Sequence, residues 1–323
     1  MKFSVCLPTC YEGLAYPVGF VQSPDDFLRL ARSAEEWGYD SVWGNDHFTT
    51  QRYVASEFAE PPNFYDPFLV LTMVAAATSR IRLGTAVAVV PVREPAILAK
   101  QAATLDVLSG GRFVLGVGIG AYKEEFEAMR PELAGKNRGA ILEEGLEAMR
   151  LLFENRRASF RGKVFHFEEV EAFPKPTQRP FPIFVGGHNL HAIERAVKWG
   201  QGWLPGWRPF GELREWIAIL RSKTNRPIEV SPQFTVTIAR THEEAVQRYL
   251  NSGMVQHRKS LAYTGRDPSL ALDNNLIGSP DSICAKLAEL ADMGVDHCCA
   301  LTFPTNTVDE MLEQMHMFAE TVL

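Results

Sequence analysis

A helix start, a glycine stop and an apolar strand recur as one unit near both ends of the chain. This repetition restricts the fold more than any other feature. Ser23-Pro24-Asp25-Asp26 offers an N-cap, a proline at the first helical position and acids in the first turn. Phe27, Leu30, Ala31, Ala34 and Trp37 follow at helical spacing, Gly38 ends the run, and Tyr39 to Trp43 reads as a strand. Ser279-Pro280-Asp281-Ser282 repeats the start, with Ile283, Leu287 and Leu290 on one face. Gly294 stops it, and Val295 to Leu301 is again a strand.

The alternation continues between these ends. Strands are expected at residues 3–7, 81–90, 112–117, 182–185, 202–204 and 228–238, which with the two above makes eight. Helices are expected over residues 68–78, from Pro95 to a stop at Gly110-Gly111, from Asn137 to Glu154, and from about Leu190 and Gly211. Most strands are short continuous apolar runs, the pattern of a parallel sheet covered on both faces. Strict alternation of eight such strands with helices predicts a (β/α)8 TIM barrel, one domain over residues 1–323, with inserted loops. A short β-hairpin is expected over residues 158–167, around Arg161-Gly162.

Charge and cysteine usage narrow the partners. A net charge of −6, without a basic stripe, argues against nucleic acid or an anionic membrane surface. The apolar run at residues 68–78 is too short to span a bilayer. The opening Phe3 to Pro8 is too short for a signal peptide's apolar region, so a cytoplasmic location is expected. Cys6, Cys10, Cys284, Cys298 and Cys299 are odd in number and lack zinc-type spacing, which reads as reduced thiols.

In such a barrel the chemistry belongs at the C-terminal strand ends. Asn45-Asp46-His47-Phe48 follows the second strand, and a carboxylate next to an imidazole suggests a general acid/base, His47 oriented by Asp46. A loop Asp capping a turn beside a partly exposed His explains the same residues. Gly84-Thr85-Ala86-Val87 reads by itself as plain strand. Gly116, Gly118 and Ala121 satisfy a dinucleotide-binding spacing, but the element that follows is the long helix bearing Arg138 rather than a βαβ unit. Those glycines fit better as a close approach of backbone to a planar ligand. Gly186-Gly187-His188-Asn189 leads into a helix and suits a phosphate, or is simply a small-residue turn. His188 and His191 lack an acid or cysteine at ligand spacing, so no metal is expected. The long segment from Phe48 to Phe68 carries Tyr53, Phe58, Phe64 and Tyr65, and Trp207 follows the sixth strand. Phe48, Tyr65 and Trp207 are candidates for an apolar substrate pocket, or for loop packing.

Together these loops carry a resemblance. Asn45-Asp46-His47-Phe48, Arg80 to Thr85, Ala99 to Arg112, Leu115 to Gly120, Glu124-Glu125-Phe126, Arg138-Gly139, Pro182 to Gly187, Gly278-Ser279-Pro280 and Gly294 to His297 run in order over nearly the whole chain. They resemble the luciferase-like monooxygenase superfamily, and within it the branch dependent on the deazaflavin coenzyme F420. The resemblance implies a barrel of the bacterial-luciferase type and a flavin-like cofactor, coenzyme F420 first and FMN as the alternative. It places Asp46 and His47 at the reactive edge of the ring, a non-prolyl cis peptide at Ala86-Val87 behind it, Gly118 and Ile119 against it, and Gly186, Gly187 and His188 on the cofactor phosphate. It makes Glu125 and Arg138 a structural pair, and it implies a homodimer. Where the branch's sugar-phosphate dehydrogenases carry an acid, this chain has Ala121, so neither their acid/base scheme nor a sugar phosphate follows.

The expectation is hydride transfer between F420 and a small, uncharged, fairly apolar carbonyl, alcohol or alkene. The alternatives are an FMNH2-dependent monooxygenase that uses oxygen and a separate flavin reductase, and a non-catalytic flavin-binding barrel.

Overall fold

Each barrel strand is a short apolar stretch whose two faces are both covered, which is why it carries almost no alternation. The computed structural model describes residues 1–57, 59–262 and 267–323. Parallel strands Lys2–Cys6, Ser41–Gly44, Arg82–Thr85, Phe113–Gly118, Ile183–Gly186 and Gly202–Leu204 pair in chain order. His297–Thr302 pairs with Lys2–Cys6 from the other side. The seventh strand closes the ring in two halves. Glu229–Val230 pairs with Gly202–Leu204, and Gln233–Ile238 pairs with His297–Thr302. The break falls at Ser231-Pro232, and Pro232 still accepts the Cys299 N–H through its carbonyl. The expected single strand over 228–238 is therefore interrupted, because proline cannot donate to a ladder. The fold is the (β/α)8 barrel expected from the alternation.

The helix starts follow their capping chemistry. Asp26 accepts from the backbone N–H groups of Gln22 and Ser23 ahead of Pro24–Glu36. Asn137 accepts from Gly139 and Ala140 at the start of Arg138–Glu154. Gly38, Gly110, Gly111 and Gly294 take positive φ at the predicted stops, the conformation in which a side chain is costly. The hairpin is present as antiparallel Ala158–Arg161 and His166–Val170. Several elements are not evident from the sequence. Helices His242–Leu250 and Gly253–Ser260 follow the seventh strand, Leu276–Gly278 adds a strand beside Gln233–Ile238, and Val308–Val322 ends the chain after the last strand.

The barrel interior is plugged by side chains. Trp43 and Phe184 lie with ring centroids 6.0 Å apart inside it. Glycine stands opposite each ring: a Cβ on Gly84 would come within 2.2 Å of Trp43, and one on Gly202 within 2.5 Å of Phe184. Large and small residues thus interdigitate, as a small barrel requires. With the interior filled, space for a ligand remains at the rim. No helix among the described residues is long and apolar enough to cross a membrane.

Candidate active site

The C-terminal rim holds a cleft of about 350 Å³, within the range of small-molecule sites. Its lining includes Asp46, His47, Ala86, Val87, Gly118, Ile119, Gly186, Gly187 and His188, so every candidate catalytic and cofactor residue meets in one place. Ala121 lines it too, together with the unforeseen Tyr11, Tyr122 and His257.

The loop after Ser41–Gly44 is fixed from below. Thr9 Oγ1 donates within reach of both the carbonyl and Oδ1 of Asn45, at 2.9 and 2.8 Å, and accepts the Asn45 N–H at 2.9 Å. Asp46 and His47 then diverge. Asp46 is 3 % exposed and takes a bidentate pair from Arg93, Nε to Oδ2 at 2.9 Å and Nη2 to Oδ1 at 2.7 Å. The Val89 N–H also donates to Oδ2 at 2.9 Å, so Asp46 ties the second strand's loop to the third strand's end. Burial tends to discharge the Arg93 guanidinium, but Asp46 and Asp66 outweigh it and raise the group above its ordinary range.

The expectation that Asp46 orients His47 is corrected here. The imidazole is held by Glu125, whose Oε2 lies 3.0 Å from His47 Nδ1. Glu125 sits on the short helix Lys123–Met129 and is 2 % exposed. It also accepts the N–H groups of Phe48 and Thr49, which clamps the loop around the imidazole. Burial alone would push this carboxyl up. The hydrogen bond and charge of His47, with those two N–H donors, more than offset it and hold Glu125 below the usual carboxylate range. An ionised Glu125 only accepts, so Nδ1 carries the proton toward it and Nε2 remains the nitrogen that can exchange one in the cleft. The ion pair of Glu125 with Arg138 implied by the resemblance is not formed within 4 Å. Arg138 donates instead to the carbonyls of Ile119, Gly120 and Tyr122.

The wall opposite is made of short groups. The Ala86–Val87 peptide is cis, at the position named from the sequence. A Cβ on Gly118 would lie 2.4 Å from Val87 Cγ2, and one on Gly186 would lie 2.9 Å from Val87 Cγ1. The glycines thus make room for Val87, and Val87 in turn faces the cleft; the sequence had assigned that room to a ligand. Gly187 has φ +128° and leads through His188 to Asn189, whose side chain caps helix Leu190–Trp199 by accepting from Ala192. His191 stands on that helix, exposed and paired with Glu194 at 3.3 Å.

The three pocket candidates part company. Phe48 lies under the Arg93 guanidinium, 4.9 Å from its ring centroid, and Tyr65 packs edge-on against Phe27 at 5.2 Å. Neither lines the cleft. Trp207 is buried and borders a small extension of it. Of the loop aromatics, Phe64 approaches His47 at 5.8 Å between centroids; Phe58 and the Tyr53 side chain lie outside the described residues. Tyr122, 5.5 Å from His47, is like Tyr11 an aromatic that composition does not single out.

Comparison with known proteins shows the family. The family profile described as luciferase-like monooxygenase matches residues 1–297. An F420-dependent glucose-6-phosphate dehydrogenase of Kineococcus radiotolerans is 32 % identical over 183 residues, 56 % of this chain and 52 % of that protein. The oxygenase component of a flavin-dependent trigonelline monooxygenase from Acinetobacter baylyi is 32 % identical over 177 residues, 54 % of this chain and 46 % of that protein. The crystal structure of a monooxygenase from Streptomyces bottropensis superposes with a TM-score of 0.80 at 23 % identity, covering 100 % of this chain and 98 % of that one. Relatives described as F420-dependent and as flavin-dependent both match part of this sequence, and the chain belongs to the luciferase-like monooxygenase family.

Proposed function

We propose that this protein transfers hydride between coenzyme F420 and a small carbonyl, alcohol or activated alkene, with His47 moving the accompanying proton. One observation carries the reading: a rim imidazole whose Nδ1 is committed to a buried, ionised Glu125, which leaves Nε2 for the cleft. The site fits a flat, phosphate-bearing ring system. Ala86, Val87, Gly118 and Gly186 present short side chains along one wall, and the Gly187-His188-Asn189 turn opens onto a helix N-terminus suited to an anion.

When bound, the cofactor supplies the hydride chemistry. His47 gives or takes a proton at Nε2, and Glu125 compensates the imidazolium charge that results. Asp46 and Arg93 hold the loop, and Tyr11, Tyr122 and Leu204 narrow the space open to water. Leu69 and Ile97, exposed on neighbouring helices Pro67–Ala77 and Pro95–Leu108, support a homodimer.

A second reading, oxygenation with FMNH2 from a separate reductase, is favoured by the Acinetobacter relative. Parallel titrations with F420 and FMN, followed by oxygen uptake with the reduced cofactor, separate the two. Tight F420 binding without oxygen uptake is expected. Tight FMN binding with oxygen uptake, and no F420 affinity, would establish the second reading instead.

A further inference from the structure

Beside the cleft lies an annexe of about 70 Å³, lined among others by Tyr11, Trp207, Gln233, His257 and Arg258. Tyr11, Gln233 and His257 line the cleft as well, so the two spaces adjoin. A single water needs about 10–15 Å³ of such space, so the annexe holds a group of a few heavy atoms.

Arg258, on helix Gly253–Ser260, is the unusual member. It is 9 % exposed. Its Nη2 donates to Thr235 Oγ1 at 2.8 Å, its Cζ lies 5.0 Å from the Trp207 ring centroid, and its Nε finds no acceptor. Trp207 is itself pinned, its Nε1 donating to the Asn274 carbonyl at 2.9 Å. Among the described residues no carboxylate lies within 4 Å of this guanidinium. The other inward-facing arginines have partners, including the equally buried Arg208, which has Glu212 at 3.5 Å. Arg93 has Asp46 and Asp66, Arg195 has Glu143, and Arg112 donates to the carbonyls of Ala75, Thr78, Ile81 and Ser109. Burial presses the Arg258 group toward its neutral form, opposed only by the phenols of Tyr249 and Tyr11. Arginine nonetheless keeps its proton in proteins. A permanent cation therefore borders a cavity, and no carboxylate among the described residues lies within ion-pair distance of it.

We propose that the annexe receives a carboxylate carried by the substrate and paired with Arg258, so that the substrates are small oxo, hydroxy or unsaturated acids. Guanidinium and carboxylate match as planar, charge-assisted partners, and Trp207 already fixes the plane of the guanidinium. The uncharged substrate expected from the sequence is replaced by one with an anionic end in the annexe and an apolar body in the cleft, toward Leu204 and Leu261. This inference rests on the proposed hydride transfer only for the position of the reacting carbon; anion binding at Arg258 stands without it.

The test compares benzoate with its uncharged isostere benzamide on the purified protein without added cofactor, by calorimetric titration, with inorganic phosphate as a third probe. Benzoate is expected to bind at least tenfold tighter than benzamide in the wild type. In Arg258→Met the preference is expected to fall below twofold, while F420 affinity stays within twofold of the wild type. Equal binding of the two probes by the wild type, a preference retained in R258M, or phosphate binding tighter than benzoate would overturn the proposal. Should R258M not fold, Arg258→Lys is read in its place, since it keeps the charge and loses the fork. A reduced preference then supports the proposal and an unchanged one overturns it. Loss of F420 binding by the wild type with the benzoate preference intact would sink the cofactor reading alone.

Discussion

His47 Nδ1 lies 3.0 Å from Oε2 of Glu125, a residue 78 positions away along the chain. That contact assigns the roles at the rim. The neighbouring Asp46 is consumed by Arg93 and Val89, so it braces the loop while Glu125 orients the imidazole. Because Glu125 is held below the usual carboxylate range, it is ionised throughout the neutral range. What it contributes to the folded loop is present above that range and is lost as pH falls through its lowered value.

Asp46 and Arg93 make a stability prediction. Asp46→Asn removes one member of a buried, bidentate ion pair and leaves Arg93 with Asp66 alone. The expected cost is roughly 3 kcal/mol of stability. Denaturant unfolding checks this, together with the retained rate of the surviving folded enzyme at saturating cofactor. A D46N variant of full stability and abolished turnover would return Asp46 to the chemistry.

Val87 and the glycines around it make a second. Gly118→Ala places a methyl 2.4 Å from Val87 Cγ2, so Val87 must move toward the cleft. The expected result is a loss of about 1–3 kcal/mol in stability and weaker cofactor binding. Val87→Ala in the same chain removes the obstructing methyls and is expected to restore both. Titrations on the single and double variants decide it; an unrestored double variant would mean that Gly118 serves the ligand directly.

The barrel floor carries a third. His297 sits between Glu229 at 3.0 Å and Ser4 Oγ at 2.9 Å, an order of groups found in hydrolytic sites. Ser4 is fully buried and its Oγ also accepts the Ala300 N–H, so no substrate reaches it and the network is structural. Burial would raise Glu229, yet the hydrogen bonds and charges of His297 and Lys2 bring it from 4.5 down to about 2. A depressed carboxylate stabilises fully above about 4.5 and loses that contribution as pH falls toward 2. Glu229→Gln is expected to cost on the order of 2–3 kcal/mol at pH 7 and progressively less towards pH 3. Thermal unfolding across that range measures it. A gap independent of pH would contradict the assignment.

The sequence made the barrel legible because its signals are local. Caps at Asn137 and around Ser23, positive-φ glycines at 38 and 294, and apolar runs at 113–118 and 183–186 each act within a few residues. The rim loops were legible by position, since strand ends in this fold converge on one opening. Pairings across the site were not. Adjacent side chains in a turn point apart, so the Asp46–His47 adjacency misled, and the Glu125 and Arg93 contacts depend on loops that periodicity does not describe. The apolar surface of Phe48 and Tyr65 suits a pocket wall or loop packing equally, and Arg93 and Phe27 decide for packing. Arg258 gives no signal in the sequence, because a lone arginine in a helix is ordinarily solvated. Only its burial beside Trp207 marks it.

The most direct measurement is an anaerobic single turnover that follows F420 oxidation state in wild type, His47→Gln and Glu125→Gln, each first shown to bind the cofactor. Expected is a fall of about 10²–10⁴ in the hydride-transfer rate for H47Q, and a smaller fall for E125Q, with cofactor affinity nearly unchanged. Wild-type rates in H47Q would contradict the assignment of that imidazole as the proton carrier.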